Sequence, residues 1–171
     1  MDQDAAAHLE RLLAKEAITE RLLGYARGVD RLDLDLVRAT FHPGAEADYG
    51  EMFRGTGEGF ADFIGGCTSP METHTHHLSN ISVTVDGDRA GSEAYVIVRT
   101  RTRGEDGTAH EMVSHGRYAD EWERRAGEWR ISRRRYLHSL DEAWPARTTL
   151  FPPGGSRDGD DPSCAVDPRP S

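Results

Sequence analysis

The chain has 171 residues, enough for one domain with a real core, and a formal net charge of −9. That charge argues against nucleic acid, because phosphate binding requires a concentrated basic surface, and no run approaches the roughly 20 apolar residues of a membrane span. Cys67 and Cys164 are too few and too isolated for a disulfide framework or a zinc site, and the acidic start Met1-Asp2-Gln3-Asp4 lacks a signal peptide's basic-then-apolar order, so a cytoplasmic protein is expected.

Residues 5–30 read as a helix with a kink near Lys15. Leu9, Leu12 and Leu13 form one apolar stripe, and Ile18, Leu22, Tyr25, Ala26 and Val29 continue it at helical spacing. Asp33 is placed to cap a short helix carrying Leu34 and Val37. Phe41-His42-Pro43-Gly44 breaks the pattern, and a short strand fits residues 45–49. Gly55-Thr56-Gly57 leads into a third helix with Phe60, Phe63 and Ile64. From residue 74 the period changes to two: Ile81, Val83 and Val85 alternate with Ser82 and Thr84 up to a hairpin turn at Asp86-Gly87. Strands follow over 89–103 and 109–124, with turns at 104–107 and at Ala126-Gly127, and a last strand carries Trp129 and Ile131.

Helices first and a long meander after them make an α+β pattern: a cone-shaped α+β barrel, with N-terminal helices packed on a strongly curved mixed or antiparallel sheet around a cavity. The domain is expected over 1–144. Residues 145–171 are rich in Pro, Gly and Asp and are expected to be disordered, or else a lid or an arm. The outer face of such a sheet leaves Val96, Val98 or Ile97 to be covered, which predicts a homo-oligomer, either dimer or trimer.

Asp30 ends the first helix, where a carboxylate opposes the helix dipole, so a tertiary reason for it is expected. His77 opens a strand-like run with His74 and His76 beside it. A carboxylate that orients an imidazole makes a base that works near neutral pH. On a strand His77 shares a face with Thr75, and His74 with His76. The rival reading of His-x-His is a metal site with His115 or Glu111 as third ligand. Tyr25 and Tyr49 are candidate donors to a carbonyl that becomes an enolate, or else core phenols with satisfied hydroxyls. Of Arg133, Arg134 and Arg135, strict alternation puts Arg133 on the face of Trp129 and Ile131, whereas one bulge selects Arg134, the residue expected to stabilise a leaving hydroxide or bind a carboxylate. No Gly-x-Ser-x-Gly elbow or reactive-cysteine signature is present, and Lys15 is the only lysine.

Several stretches in order carry a resemblance: Tyr25…Asp30-x-x-Asp33, Phe41-His42-Pro43-Gly44, Thr75-His76-His77, Val85-Asp86-Gly87-Asp88 with Ala90, and Gly127-Glu128-Trp129-Arg130-Ile131. Together, over about residues 8–140, they resemble the SnoaL-like branch of the nuclear transport factor 2-like superfamily, which includes polyketide cyclases, dehydratases and a dehydrochlorinase. The resemblance implies a dyad of Asp30 and His77, with Tyr25 or Tyr49 on the carbonyl and an arginine on the last strand, and neither cofactor nor metal. Residues 89–103 hold no counterpart to the second histidine of the scytalone type. The expected activity is that of a lyase or isomerase acting on a small cyclic or polyketide-like molecule. The other reading the superfamily allows is a non-catalytic binding module or accessory subunit of a ring-hydroxylating oxygenase.

Overall fold

The computed structural model describes residues 2–166. Helix α1 (Gln3–Asp30) starts at Asp2, whose carboxylate accepts the Ala5 amide at 2.9 Å, and it runs unbroken past Lys15. Its packed stripe is Ala14, Ile18, Leu22, Tyr25 and Val29, while Leu9, Leu12 and Leu13, read as the first part of that stripe, lie exposed. Helix α2 (Leu34–Ala39) is capped by Asp33, which accepts the Leu36 amide, and helix α3 (Gly57–Thr68) by Thr56, which accepts the Gly59 amide.

The strands are β1 (Phe41–Asp48), β2 (Arg54–Thr56), β3 (Thr73–Asp86), β4 (Arg89–Arg103), β5 (Ala109–Arg125) and β6 (Glu128–Pro145). They form one open six-stranded sheet in the order β2-β1-β6-β5-β4-β3. The sheet is mixed: β3 to β6 run as an antiparallel meander, and β1 lies parallel to β6. The helices pack on it, so the fold is the α+β cone that the sequence predicts. Two details differ. Strand β1 begins at Phe41, because an irregularity between Phe41 and Glu46 absorbs Pro43 and Gly44, the latter at φ +72°. The short strand β2 carries no periodic signal in the sequence. The β5–β6 hairpin closes on Ala126 and Gly127, both at positive φ, as a two-residue turn between twisted strands requires.

The core lies between α1, α3 and the concave face of the sheet, with Phe41, Phe60, Val96, Trp122, Trp129 and Ile131 buried. The Trp122 indole keeps its hydrogen bond inside it, donating to Ser92 Oγ at 2.8 Å. Val96 and Val98 point to this concave side, so of the three residues expected on the outer face of β4 Ile97 lies there, beside Tyr95. No helix of the described residues is long and apolar enough to cross a membrane.

Residues 146–166, expected to be disordered or to form a lid or an arm, return to the C-terminal end of α1 as a strap. Arg157 donates from Nε to Asp30 O at 3.0 Å, from Nη2 to Val29 O at 3.3 Å, and from Nη1 to Met71 O at 3.1 Å and to Thr68 O. These carbonyls include ones that a helix end leaves without intrahelical partners. Nearby, Arg31 pairs with the buried Asp161 at 3.7 Å. The rest of the predicted tail, 167–171, lies outside the described residues.

Candidate active site

A cavity of about 790 Å³ opens between the helices and the sheet. Its inner end is built from the last turn of α1 and the first residues of β3. Asp30 Oδ1 accepts from His74 Nδ1 at 3.0 Å and from His76 Nδ1 at 2.7 Å, and Oδ2 accepts the His76 backbone amide at 2.9 Å. Burial pushes the Asp30 carboxyl up, but the hydrogen bonds from His74 and His76 outweigh it and hold the group at about 2. For His74 burial wins, and its pKa is lowered despite the Asp30 bond. Because each Nδ1 faces a carboxylate oxygen, both rings carry a proton there, and each keeps Nε2 as the atom that can accept another.

His77 is not part of this arrangement. It lies exposed on the other face of β3, and Asp30 pairs instead with His74 and His76. The cause is an irregularity between Ser79 and Ser82, with Asn80 in the left-handed region at φ +49°. The inward phase of Ile81, Val83 and Val85, extended backward, selects His77; the bulge reverses that phase, so Leu78, His76 and His74 point inward. Leu78, out of phase with Ile81, and an asparagine able to hold positive φ were the signals available in the sequence.

Tyr25 and Tyr49 lie together beside this pair, their hydroxyls 2.8 Å apart. The Tyr25 ring meets His76 edge-on at 6.2 Å and Tyr118 at 5.7 Å, and Tyr49 stacks on Phe60 at 3.8 Å. Burial, above all, pushes both phenols well above their ordinary range, so they stay protonated hydrogen-bond donors.

Arg134 is the inward arginine, turned by an irregularity between Glu121 and Trp122 in the β5–β6 register. It does not reach the cavity. Its side chain is fully buried beneath the tyrosines, gripped by Asp120 through bonds of 2.8 and 2.7 Å, with the guanidinium 4.3 Å from the Tyr25 ring centre and 4.1 Å from that of Tyr118. The expected direct contact with a leaving group is therefore replaced by a cation behind an aromatic floor.

His-x-His does share one strand face, but the group completing it is Asp30; Glu111 is held by Arg99 and Arg101. Asp30, His74 and His76 bring their ligand atoms within 4.8 Å of one another, a donor set that a divalent cation could use. The remaining wall mixes apolar side chains, among them Val29, Ile64, Val98 and Met112, with Ser114, Tyr136, His138 and Asp141 from β5 and β6. None of those four polar residues was singled out in the sequence, because the spacing along one strand does not show which residues two strands bring together.

A model of the SnoaL-like domain matches residues 10–135 of the chain. Among proteins of curated function none matches. A candidate scytalone dehydratase from Novosphingobium aromaticivorans is similar over 80% of this chain and 91% of its own, at 22% identity and a TM-score of 0.68. A type 2 hexachlorocyclohexane dehydrochlorinase is similar over 86% and 99%, at 22% identity and a TM-score of 0.72. A candidate aromatic ring hydroxylase from N. aromaticivorans reaches 28% identity over 77% and 92%, with a TM-score of 0.65. For the first two, at such identity, the likeness is one of fold.

Proposed function

Because the chain belongs to the SnoaL-like family, we propose that it is a cofactor-independent lyase or isomerase that removes a proton from a small cyclic or polyketide-like molecule. The observation that carries this reading is the Asp30 carboxylate, hydrogen-bonded to Nδ1 of both His74 and His76 at the inner end of a cavity. His76 is the base: it makes the shorter bond, and its ring meets Tyr25, whose hydroxyl bonds Tyr49. Its Nε2 takes the proton from a carbon next to a carbonyl. Asp30, ionised throughout at a pKa of about 2, stabilises the imidazolium that results. A hydroxyl of the Tyr25–Tyr49 pair donates to the developing enolate oxygen. The electron pair then expels a leaving group, as in dehydration, or accepts a proton elsewhere. General base catalysis contributes roughly 10²–10⁴-fold and a well-placed oxyanion donor about 10²–10³-fold.

The resemblances to dehydratase and dehydrochlorinase structures support the lyase class through the fold, and the mostly apolar wall suits a ring compound. The apolar side chains left exposed at Leu12, Tyr95, Ile97 and Leu140 support a homo-oligomer, and we place the protein in the cytoplasm.

The test is incubation with cyclic β-hydroxy ketones and polyketide-like enones in D₂O, followed by mass spectrometry. Water loss or deuterium uptake by the wild type, absent in Asp30→Asn and His76→Ala, is the expected result. Retained activity in both variants would end the Asp30–His76 mechanism, and no reaction by the wild type across the panel would favour a binding module. EDTA is expected to leave the rate unchanged; a loss restored by zinc would move the chemistry to a metal held by Asp30, His74 and His76.

A further inference from the structure

At the other side of the cavity, β6 carries a second aspartate–histidine pair. His138 Nε2 lies 3.1 Å from Asp141 Oδ2. Plain alternation would send residues 138 and 141 to opposite faces of the strand. The register with β5 shifts instead: Gly116 pairs with His138, His115 with Leu140, and Ser114 with Asp141. This leaves Ser139 as the extra residue and turns His138 and Asp141 into the cavity together. Ser114, directly opposite Asp141, has its hydroxyl 3.2 Å from that of Tyr136. Tyr136 can lie there because residue 116 is glycine: a Cβ at that position would fall 2.4 Å from its ring. The Ser114 hydroxyl, with His138 also contributing, holds the Asp141 carboxyl below its usual range, so it is an anion at neutral pH.

An anion at Asp141 fixes the His138 tautomer, with Nε2–H donating to the carboxylate and Nδ1 left as an acceptor. A wholly apolar ligand would strip water from this cluster and return no hydrogen bond, which is unfavourable. A ligand hydroxyl donating to His138 Nδ1 satisfies it. The placement relative to the base is also defined. His76, Val98, Ser114 and Asp141 stand in one row across β3, β4, β5 and β6. Three strand spacings separate the ends of that row by ~14 Å along the sheet, before its curvature shortens the gap. Side chains reach in from both ends, leaving room for one or two fused rings over the tyrosine floor.

We propose that His138, oriented by Asp141 and flanked by Ser114 and Tyr136, is a recognition site for a substrate hydroxyl, so that the substrate is a ring compound with oxygen functions at opposite ends. The proposal deepens the lyase reading and rests on it for the role of the inner end. It separates such a substrate from a halocarbon or a simple cyclic ketone, neither of which offers a hydroxyl to Nδ1.

The test is a binding measurement that needs no turnover. A naphthalenediol with one hydroxyl on each ring is compared with its dimethyl ether, which has no hydroxyl to donate, by calorimetry, in the wild type and in His138→Phe, Asp141→Asn and Asp30→Asn. Wild type is expected to prefer the diol by about tenfold, the worth of one hydrogen bond in a partly buried site. His138→Phe should abolish the preference, and Asp141→Asn, which releases the tautomer, should reduce it. No preference in the wild type, or one that survives in His138→Phe, overturns the proposal. His138 and Asp141 are both about half exposed, so the variants are expected to fold, and thermal unfolding checks this. A diol preference that is intact in Asp30→Asn while no substrate exchanges deuterium would sink the lyase reading and leave this recognition site standing.

Discussion

The two aspartate–histidine pairs face one cavity, yet their surroundings differ. Asp30 is 16% exposed, accepts three hydrogen bonds from two histidines, and sits on a helix end whose carbonyls are gripped from behind by Arg157. Asp141 is 48% exposed, faces one histidine, and lies on the last strand where a bulge opens the sheet. Burial with several donors makes a fixed anion able to stabilise a neighbouring imidazolium; half-exposure leaves a pair that water can re-solvate and a ligand can displace. On the proposed reading the same two residue types give a reactive end and a gripping end, and environment decides which is which.

The largest expected effect breaks the reactive end. Asp30→Asn or His76→Ala should lower kcat/KM by about 10³-fold or more, measured against whichever substrate the deuterium assay identifies. His77→Ala is the control for the strand phase and should stay within about twofold, since an exposed surface substitution removes nothing from the cavity. Next is the floor the two ends share. Asp120→Ala would strand the Arg134 guanidinium as a buried, unpaired cation, and urea denaturation should show a loss of about 3–5 kcal/mol.

A smaller effect sharpens the comparison through pH. The folded Asp30 carboxyl sits at about 2 against an ordinary 3.8, so its contribution is fully present above the unfolded value and lost as pH falls through about 2. That contribution is about 2–3 kcal/mol. The stability difference between wild type and Asp30→Asn should therefore shrink between about pH 4 and pH 2, read by chemical denaturation at each pH. Asp141→Asn should show no comparable change, because its half-exposed carboxylate is already solvated.

Asp30 and Tyr25 were legible because a helix has a fixed period, and a carboxylate ending it against the dipole asks for a partner. Trp129 and Ile131 were legible by alternation. What escaped were changes of phase. A single residue in the left-handed region, Asn80, exchanges His77 for His76, and the extra residue at Ser139 brings His138 and Asp141 into the cavity. Sequence periodicity sees a strand but not a one-residue slip within it. The parallel seating of β1 against β6, and the reach of Arg157 back to α1, are pairings between distant segments that no local window contains.

The Arg157 clasp also sets an order of events during synthesis. Asp30 and its two histidines leave the ribosome early, while the arginine that caps the carbonyls of Val29 and Asp30 is encoded more than 120 residues later. At about 5–20 residues per second, the nascent helix end waits on the order of ten seconds with those carbonyls open to water. A chain cut after β6 lacks the clasp, and the helix end that carries Asp30 is left without its Arg157 contacts.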